Sequence, residues 1–155
     1  MTERVARLGE TDWQTFAAMR LRALADSLGE RDPSYRDEAA FTAAQWRRRL
    51  REHAQFVAFD GDRPVGMIGA QQENRETVYL YSLWLEPSAR GHGLARRLVT
   101  AALDWARTSN VHTVRLRVAT GNAAARQVYE SIGFTVAADQ SASERDELAM
   151  SLSVS

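Results

Sequence analysis

The stretch "PSARGHGLARRLV", residues 87 to 99, follows the apolar run "VYLYSLWL" and puts Gly91 and Gly93 where a strand hands over to a helix. A turn of that kind leaves backbone N–H groups unpaired at the positive end of a helix dipole, which makes it an anion site. Glycine reaches backbone angles closed to other residues and lets a bulky phosphate approach the main chain. Arg90, Arg96 and Arg97 add fixed positive charge. A pyrophosphate suits this cradle, and three signatures compete to explain it. The Walker pattern GxxxxGK(S/T) fails because the chain contains no lysine. The dinucleotide pattern GxGxxG is poorly met: "GHGLAR" has Arg96 in place of the third small residue, and no clear ribose-binding acid ends the next strand. The third pattern, RxxGxA, is met by Arg90, Gly93 and Ala95.

The elements that must position this turn can be read from periodicity. A short first strand is expected around Val5 to Leu8. Thr11 or Asp12 then caps a helix with Trp13, Phe16, Ala17, Leu21 and Leu24 at helical spacing. The polar stretch "ADSLGERDPSYRDEAA" reads as a loop, after which Thr42 caps a second helix, "AAQWRRRLRE", with Trp46 and Leu50 on one side. "QFVAFD" and "VGMIGAQQ" flank "GDRP" as a hairpin, and "TVYLYSLWL" adds a third antiparallel strand. A helix from about Leu94 to Asn110 leads to the strand "TVRLRV", a βαβ unit with parallel strands. "NAAARQVYESIGF" is a helix stopped by Gly133, followed by strands near Phe134 to Ala138 and Leu148 to Leu152. The sum is an α/β chain with a mixed, mostly antiparallel sheet, read as one domain over residues 1–155.

Composition narrows the chemistry. Twenty basic and twenty acidic residues cancel, so the broad positive field of a nucleic-acid or membrane-surface binder is missing, and neither partner is expected. The run "RRRLR" at 47 to 51 therefore reads as a solvated helix face. Every basic residue is arginine, which removes lysine as a nucleophile or base. There is no cysteine, and His53, His92 and His112 lack zinc-site spacing, so no metal is predicted. The N-terminus lacks a basic-then-apolar leader and no apolar stretch is long enough to span a bilayer, which points to a cytoplasmic protein.

"LWLEPSARGHGLARRLV" resembles motif A of the GCN5-related N-acetyltransferases, whose pattern is (Q/R)xxGx(G/A). "NAAARQVYESIGF" resembles the family's second signature: an Asn, a helix bearing a Tyr, and a closing Gly-Phe. The order of elements agrees over nearly the whole chain. The resemblance implies a sheet with a V-shaped splay between its parallel strands, flanking helices, and acetyl-CoA as acetyl donor with no metal. It assigns the pyrophosphate to the main chain of Arg90, Gly91, His92, Gly93, Leu94, Ala95 and Arg96. Leu83, Trp84 and Leu85 would bind the pantetheine arm like an added strand, with the N–H of Trp84 or Leu85 aimed at the thioester carbonyl. Asn122 would contact the cofactor arm, and Tyr129 would protonate the departing thiolate. Read from the residues alone, His92 is a solvated or phosphate-contacting histidine, and Tyr129 is an amphipathic core tyrosine.

The general base is the point of departure from the best-defined relatives. Where they carry a Glu in the strand before the Asn, "LRVATGN" offers Arg117. Glu76 or a Tyr-bound water takes the role here, with Tyr79 and Tyr81 on the preceding strand. Trp13, Arg20 and Trp46 lie on the first two helices, which in this family border the acceptor site; Trp13, Arg20, Tyr79 and Tyr81 are the acceptor candidates. The expected activity is direct attack by a primary amine of a small molecule or peptide in a ternary complex, without a covalent enzyme intermediate. An acyl-CoA-binding regulatory or degenerate member without turnover is the alternative. Relatives are often dimers, so a homodimer is among the implied partners.

Overall fold

The computed structural model describes residues 3–137 and 146–154. Ala138, the far end of the expected penultimate strand, lies outside the described residues. The strands are β1 (Glu3–Arg7), β2 (Ala54–Asp60), β3 (Arg63–Gln72), β4 (Thr77–Leu85), β5 (Thr113–Ala119), β6 (Thr135–Val136) and β7 (Glu147–Ser153). The helices are α1 (Trp13–Ser27), α2 (Pro33–Ala39), α3 (Ala43–Glu52), α4 (Leu94–Thr108) and α5 (Ala123–Ile132). The sheet order is β1-β2-β3-β4-β5-β7-β6, and every neighbouring pair is antiparallel except β4 with β5. The expected mixed, mostly antiparallel α/β architecture is thus observed.

Helices cover both faces. Leu94, Leu98, Val99, Ala102, Leu103 and Ala106 of α4 pack with Tyr129 of α5 against the sheet. On the other face Phe16, Met19 and Ala23 of α1 and Trp46 and Leu50 of α3 close over Val57, Phe59 and Met67. Leu98 is fully buried, and such a side chain contributes roughly 1.5–3 kcal/mol relative to exposure.

Local signals explain most boundaries. Thr42 and Gln45 form a reciprocal capping box at α3, Oγ1 of Thr42 accepting from Gln45 N and Oε1 of Gln45 accepting from Thr42 N. Gly133, at φ 120°, ends α5 as expected. The polar stretch read as a loop contains the end of α1 and the whole of α2, with residues 28–32 as the loop between them. Asp32 caps α2 by accepting from Ser34 N, and Pro33 takes the first helical position, where its missing N–H costs nothing. This helix escapes a periodicity search because the residue it buries is Glu38 rather than an apolar stripe.

The feature that shapes the site is a bulge in β4. Met67 pairs with Trp84 and Gly69 with Tyr81, so Ser82 and Leu83 together oppose Ile68. The extra residue reverses the alternation of faces. Val78 and Leu80, then Leu83 and Leu85, belong to the α4 side, whereas Trp84 packs on the α1 side. Ser82 takes φ 56°, a left-handed angle that costs roughly 1–2 kcal/mol in a residue bearing a Cβ. Beyond it the parallel ladder stops: β4 and β5 pair from Thr77↔Thr113 to Leu80↔Leu116. β5 continues against β7 as far as Ala119↔Glu147. The two parallel strands therefore part at the bulge, the expected V-shaped splay.

Candidate active site

A cavity of about 540 Å³ opens in the splay. Leu83, Trp84 and Leu85 form one wall, Asn122, Ala125 and Val128 the other, and Arg90, Gly91, Gly93, Ala95 and Arg96 the end. From Gly91 through Arg96 no main-chain N–H has a hydrogen-bond acceptor among the described residues. The last bonded amide before the turn is Arg90 N to Pro87 O, and the first of α4 is Arg97 N to Gly93 O at 3.2 Å. Gly91 and Gly93 have φ of 84° and 80°, and a Cβ built on either meets nothing within 4 Å. Backbone angle, not space, requires glycine there. Such a row of amides at the head of a fifteen-residue helix is a seat for a phosphate group.

The turn is braced on both sides. Nε of Arg90 donates to Leu85 O at 3.0 Å, and its Nη2 to Asp26 Oδ2 at 3.2 Å. Asp26 also accepts from the Trp84 indole at 2.8 Å, joining the end of α1 to the cavity mouth. Arg96 donates to Ser131 Oγ on α5 at 2.6 Å. Arg97 instead reaches Glu3 O of β1 and takes no part in the cavity. Glu86, 5% exposed, is held by Arg22, Arg63 and Ser88. Burial pushes its carboxyl up, and the hydrogen bonds from Ser88, Arg63 and Arg22 outweigh that, leaving it below its ordinary value. The end of β4 is thereby tied to α1 and β3.

Of the residues named for the turn, His92 is exposed at its tip, and the Leu94 side chain lies wholly in the core, leaving only its main chain toward the turn. Asn122 is placed at the cavity and caps α5, its Oδ1 accepting from Ala125 N at 3.1 Å. Tyr129, 6% exposed, packs edge-on to Phe134 with ring centres 5.7 Å apart. Its hydroxyl has no hydrogen-bond partner among the described residues. Burial, with a smaller effect of Tyr79, pushes the phenol well above its ordinary value. It is a protonated donor throughout the physiological range.

The α1 face of β4 is polar. The Tyr81 ring lies across Gly69, where an added Cβ would sit 2.4 Å from Cζ. Its hydroxyl meets His53 Nδ1 at 2.5 Å and accepts from Gln55 Nε2 at 2.7 Å. Burial and the Arg49 charge lower the His53 pKa, which favours the neutral imidazole, and its tautomer sets which partner donates in the bond to Tyr81. Gln55, 1% exposed, leaves Oε1 without a partner among the described residues. Tyr79 stacks on Tyr81, and Arg115 lies over the Tyr79 ring while chelating Glu73. A second cavity of about 310 Å³, lined by Arg20, Leu24, Ser34 and Ser82, shares Ser27, Leu83 and Trp84 with the first.

Two sequence expectations are corrected. Glu76 is exposed at the closed end of the V, where its carbonyl accepts from His112 and Thr113. Leu83 is roughly 23 Å away along an extended strand, so Glu76 cannot serve as base in the cleft. Trp13 opens α1 whereas Asp26 lies in its last turn, roughly 20 Å apart along the helix axis. It packs beneath Arg47 and lines neither cavity. Trp46 is core, edge-on to Phe16 and Phe41. Sequence reading missed Asp26, Ser34, Glu38, His53, Gln55 and Ser82, because nothing in the local pattern marks residues that meet only across elements. Among the described residues no cluster of His, Asp or Glu could hold a metal, and no helix is long and apolar enough to cross a membrane.

Known proteins agree with this geometry. Residues 19–134 match the model of the acetyltransferase (GNAT) family. The mycothiol acetyltransferase of Beutenbergia cavernae is 32% identical over 140 residues, covering 86% of this chain and 45% of that protein. The chain spans less than half the length of the curated relatives it matches. Two solved structures share the fold. One is yncA of Salmonella typhimurium with acetyl-CoA (TM-score 0.76, 19% identity, 100% of this chain and 95% of that one). The other is the PaiA N-acetyltransferase of Thermoplasma acidophilum with coenzyme A (0.76, 15%, 99% of both). With a family match over most of its length and the splayed sheet to go with it, the chain belongs to the GNAT family of acetyltransferases.

Proposed function

We propose that the protein is an acetyl-CoA-dependent N-acetyltransferase acting on a primary amine of a small molecule or peptide. The observation that carries this reading is the row of unpaired amides from Gly91 to Arg96, set at one end of a cavity whose wall is the end of β4 that has left its ladder with β5. The amides receive the pyrophosphate, and the edge of Leu83 to Leu85 that faces away from β3, beyond the end of the β5 ladder, receives the pantetheine arm by strand addition. The N–H of Trp84 or Leu85 faces the thioester carbonyl, where one such donor is worth roughly 3 kcal/mol of transition-state stabilisation. The neutral amine attacks, the N–C bond forms, and the C–S bond breaks. Tyr129 gives its proton to the leaving thiolate. The amine's surplus proton leaves on the α1 face, where Tyr81 is backed by neutral His53. Solvent carries that proton away and returns one to the Tyr129 phenolate, so the net result moves one proton from amine to thiol. The reading treats residues 1–155 as one catalytic domain, cytoplasmic, alone or as a homodimer.

Arg117, in place of a carboxylate on β5, favours a second reading: an acyl-CoA-binding regulator without turnover. Thermal melting and thiol release separate the readings. Acetyl-CoA at about 100 times its dissociation constant should add about 2.7 kcal/mol, or roughly 5 to 10 °C. Free thiol should appear only when an amine from a panel of amino acids, polyamines, aminoglycosides and peptides is present. Binding without thiol release across the panel supports the regulator. A shift with NAD(P)H and none with acetyl-CoA overturns both.

A further inference from the structure

Three non-glycine residues among those described have positive φ: Ser82, Asn110 and Asp146. Asn and Asp tolerate that region through their short polar side chains. A serine in mid-strand holds it only if its surroundings enforce it. At Ser82 the enforcing group is Arg20 of α1, whose Nη1 donates to Ser82 Oγ at 2.7 Å. The same guanidinium donates from Nε and Nη2 to the two oxygens of Glu38 on α2, at 2.9 and 3.1 Å. Arg49 of α3 approaches the same carboxylate at 3.5 Å. The Arg20 and Glu38 side chains are only 14% and 11% exposed. A guanidinium is a planar, rigid fork. With two prongs fixed by Glu38, the third is aimed at Ser82, and α1, α2 and α3 converge on one strained residue of β4.

We propose that Arg20 is a positioning residue: it holds Ser82 in the left-handed bend and so sets the main chain of Leu83, Trp84 and Leu85. Without the bend, the alternation of β4 would carry Leu83 to the α1 face and Trp84 to the α4 face, and β4 could continue its ladder with β5. The bend therefore keeps the cleft open and its amides aimed. Three of the five Arg20 N–H donors are engaged in this clamp, and the role proposed is to hold Ser82 rather than to touch an acceptor. The consequence for turnover rests on the acetyl-transfer reading; the consequence for conformation does not.

A double-mutant cycle tests this, because glycine adopts the Ser82 angle unaided. Four proteins are compared: the parent, Arg20→Gln, Ser82→Gly and the double variant. Arg20→Gln is expected to lower turnover at saturating acetyl-CoA and amine by roughly 10- to 100-fold. In the Ser82→Gly background the same change should cost less than about threefold. The drop in melting temperature on Arg20→Gln should likewise be smaller, by about 3 °C or more, when residue 82 is glycine. Equal losses in both backgrounds would overturn the proposal and make Arg20 either an acceptor contact or a general brace for the helices. The melting cycle needs no turnover, so it decides the matter even if the parent transfers no acetyl group. Should Arg20→Gln fail to fold, Ser82→Ala takes its place, since it keeps the Arg20–Glu38 pair and the Cβ but loses the Oγ bond. It should then melt below Ser82→Gly, and equal or higher melting would count against the clamp.

Discussion

The two sides of the β4 bulge are built from different materials. The proposed donor side, Leu83 to Arg96, is a contiguous stretch of chain that offers main chain, the unpaired amides of Gly91 to Arg96 and the edge of β4 that turns away from β3, with Arg90 and Arg96 bracing it. The proposed acceptor side is built and braced by side chains drawn from five elements and one junction: Arg20, Glu38, Arg49, His53, Gln55, Tyr79 and Tyr81. Main-chain recognition tolerates side-chain drift and needs only local torsions, so one motif can serve a common donor. Side-chain recognition depends on long-range packing, and it can vary while the donor seat stays the same.

The largest expected effect falls on α5, the helix whose Ala125 and Val128 line the first cavity. Tyr129→Phe should lower turnover by roughly ten- to a thousand-fold if the phenol is the acid. Its affinity for acetyl-CoA, read by calorimetry, should change by less than about threefold. Unchanged turnover would reduce Tyr129 to packing.

Two glycine changes sharpen the contrast. Gly93→Ala forces a Cβ into φ 80°, a strain of roughly 1–2 kcal/mol that amounts to about a tenfold loss of acetyl-CoA affinity if the turn relaxes out of shape. The amine's KM should hold. Gly69→Ala instead drives a Cβ into the Tyr81 ring, and overpacking of this kind costs roughly 1–3 kcal/mol. It should lower the melting temperature and raise the amine's KM, leaving acetyl-CoA affinity in place. If both variants alter the same parameter, the division between the sides fails.

The smallest effect is in pH. The folded His53 pKa is lowered, so the unfolded chain takes up that proton first. Stability should decline as pH falls from about 6.5 toward the folded value, and the pH dependence should disappear in His53→Gln. Turnover should fall over the same acid range if the imidazole drains the amine's proton through Tyr81. Melting curves and rates at matched pH check both.

Legibility in the sequence followed the same division. "ARGHGLARRL" and "NAAARQVYESIGF" were readable because glycines, caps and apolar spacing act within a few residues. The βαβ unit, the antiparallel meander, the α3 capping box and the Gly133 stop followed from the same local rules. α2 was missed because it buries a carboxylate, and Glu76 was assigned to the site because chain proximity to Tyr79 says nothing about which end of a strand opens.

By itself the sequence determined the order of the strands and of every helix but α2, the glycine turn and the helix that it heads, since backbone torsion and periodicity are properties of neighbouring residues. Only the tertiary structure decided that β4 gains a residue at Ser82, that Arg20 reaches that residue, and that His53 stands behind Tyr81. Those outcomes depend on which surfaces pack together, and burial of Arg20 with Glu38 against the strand is a non-local event that no window of the chain encodes.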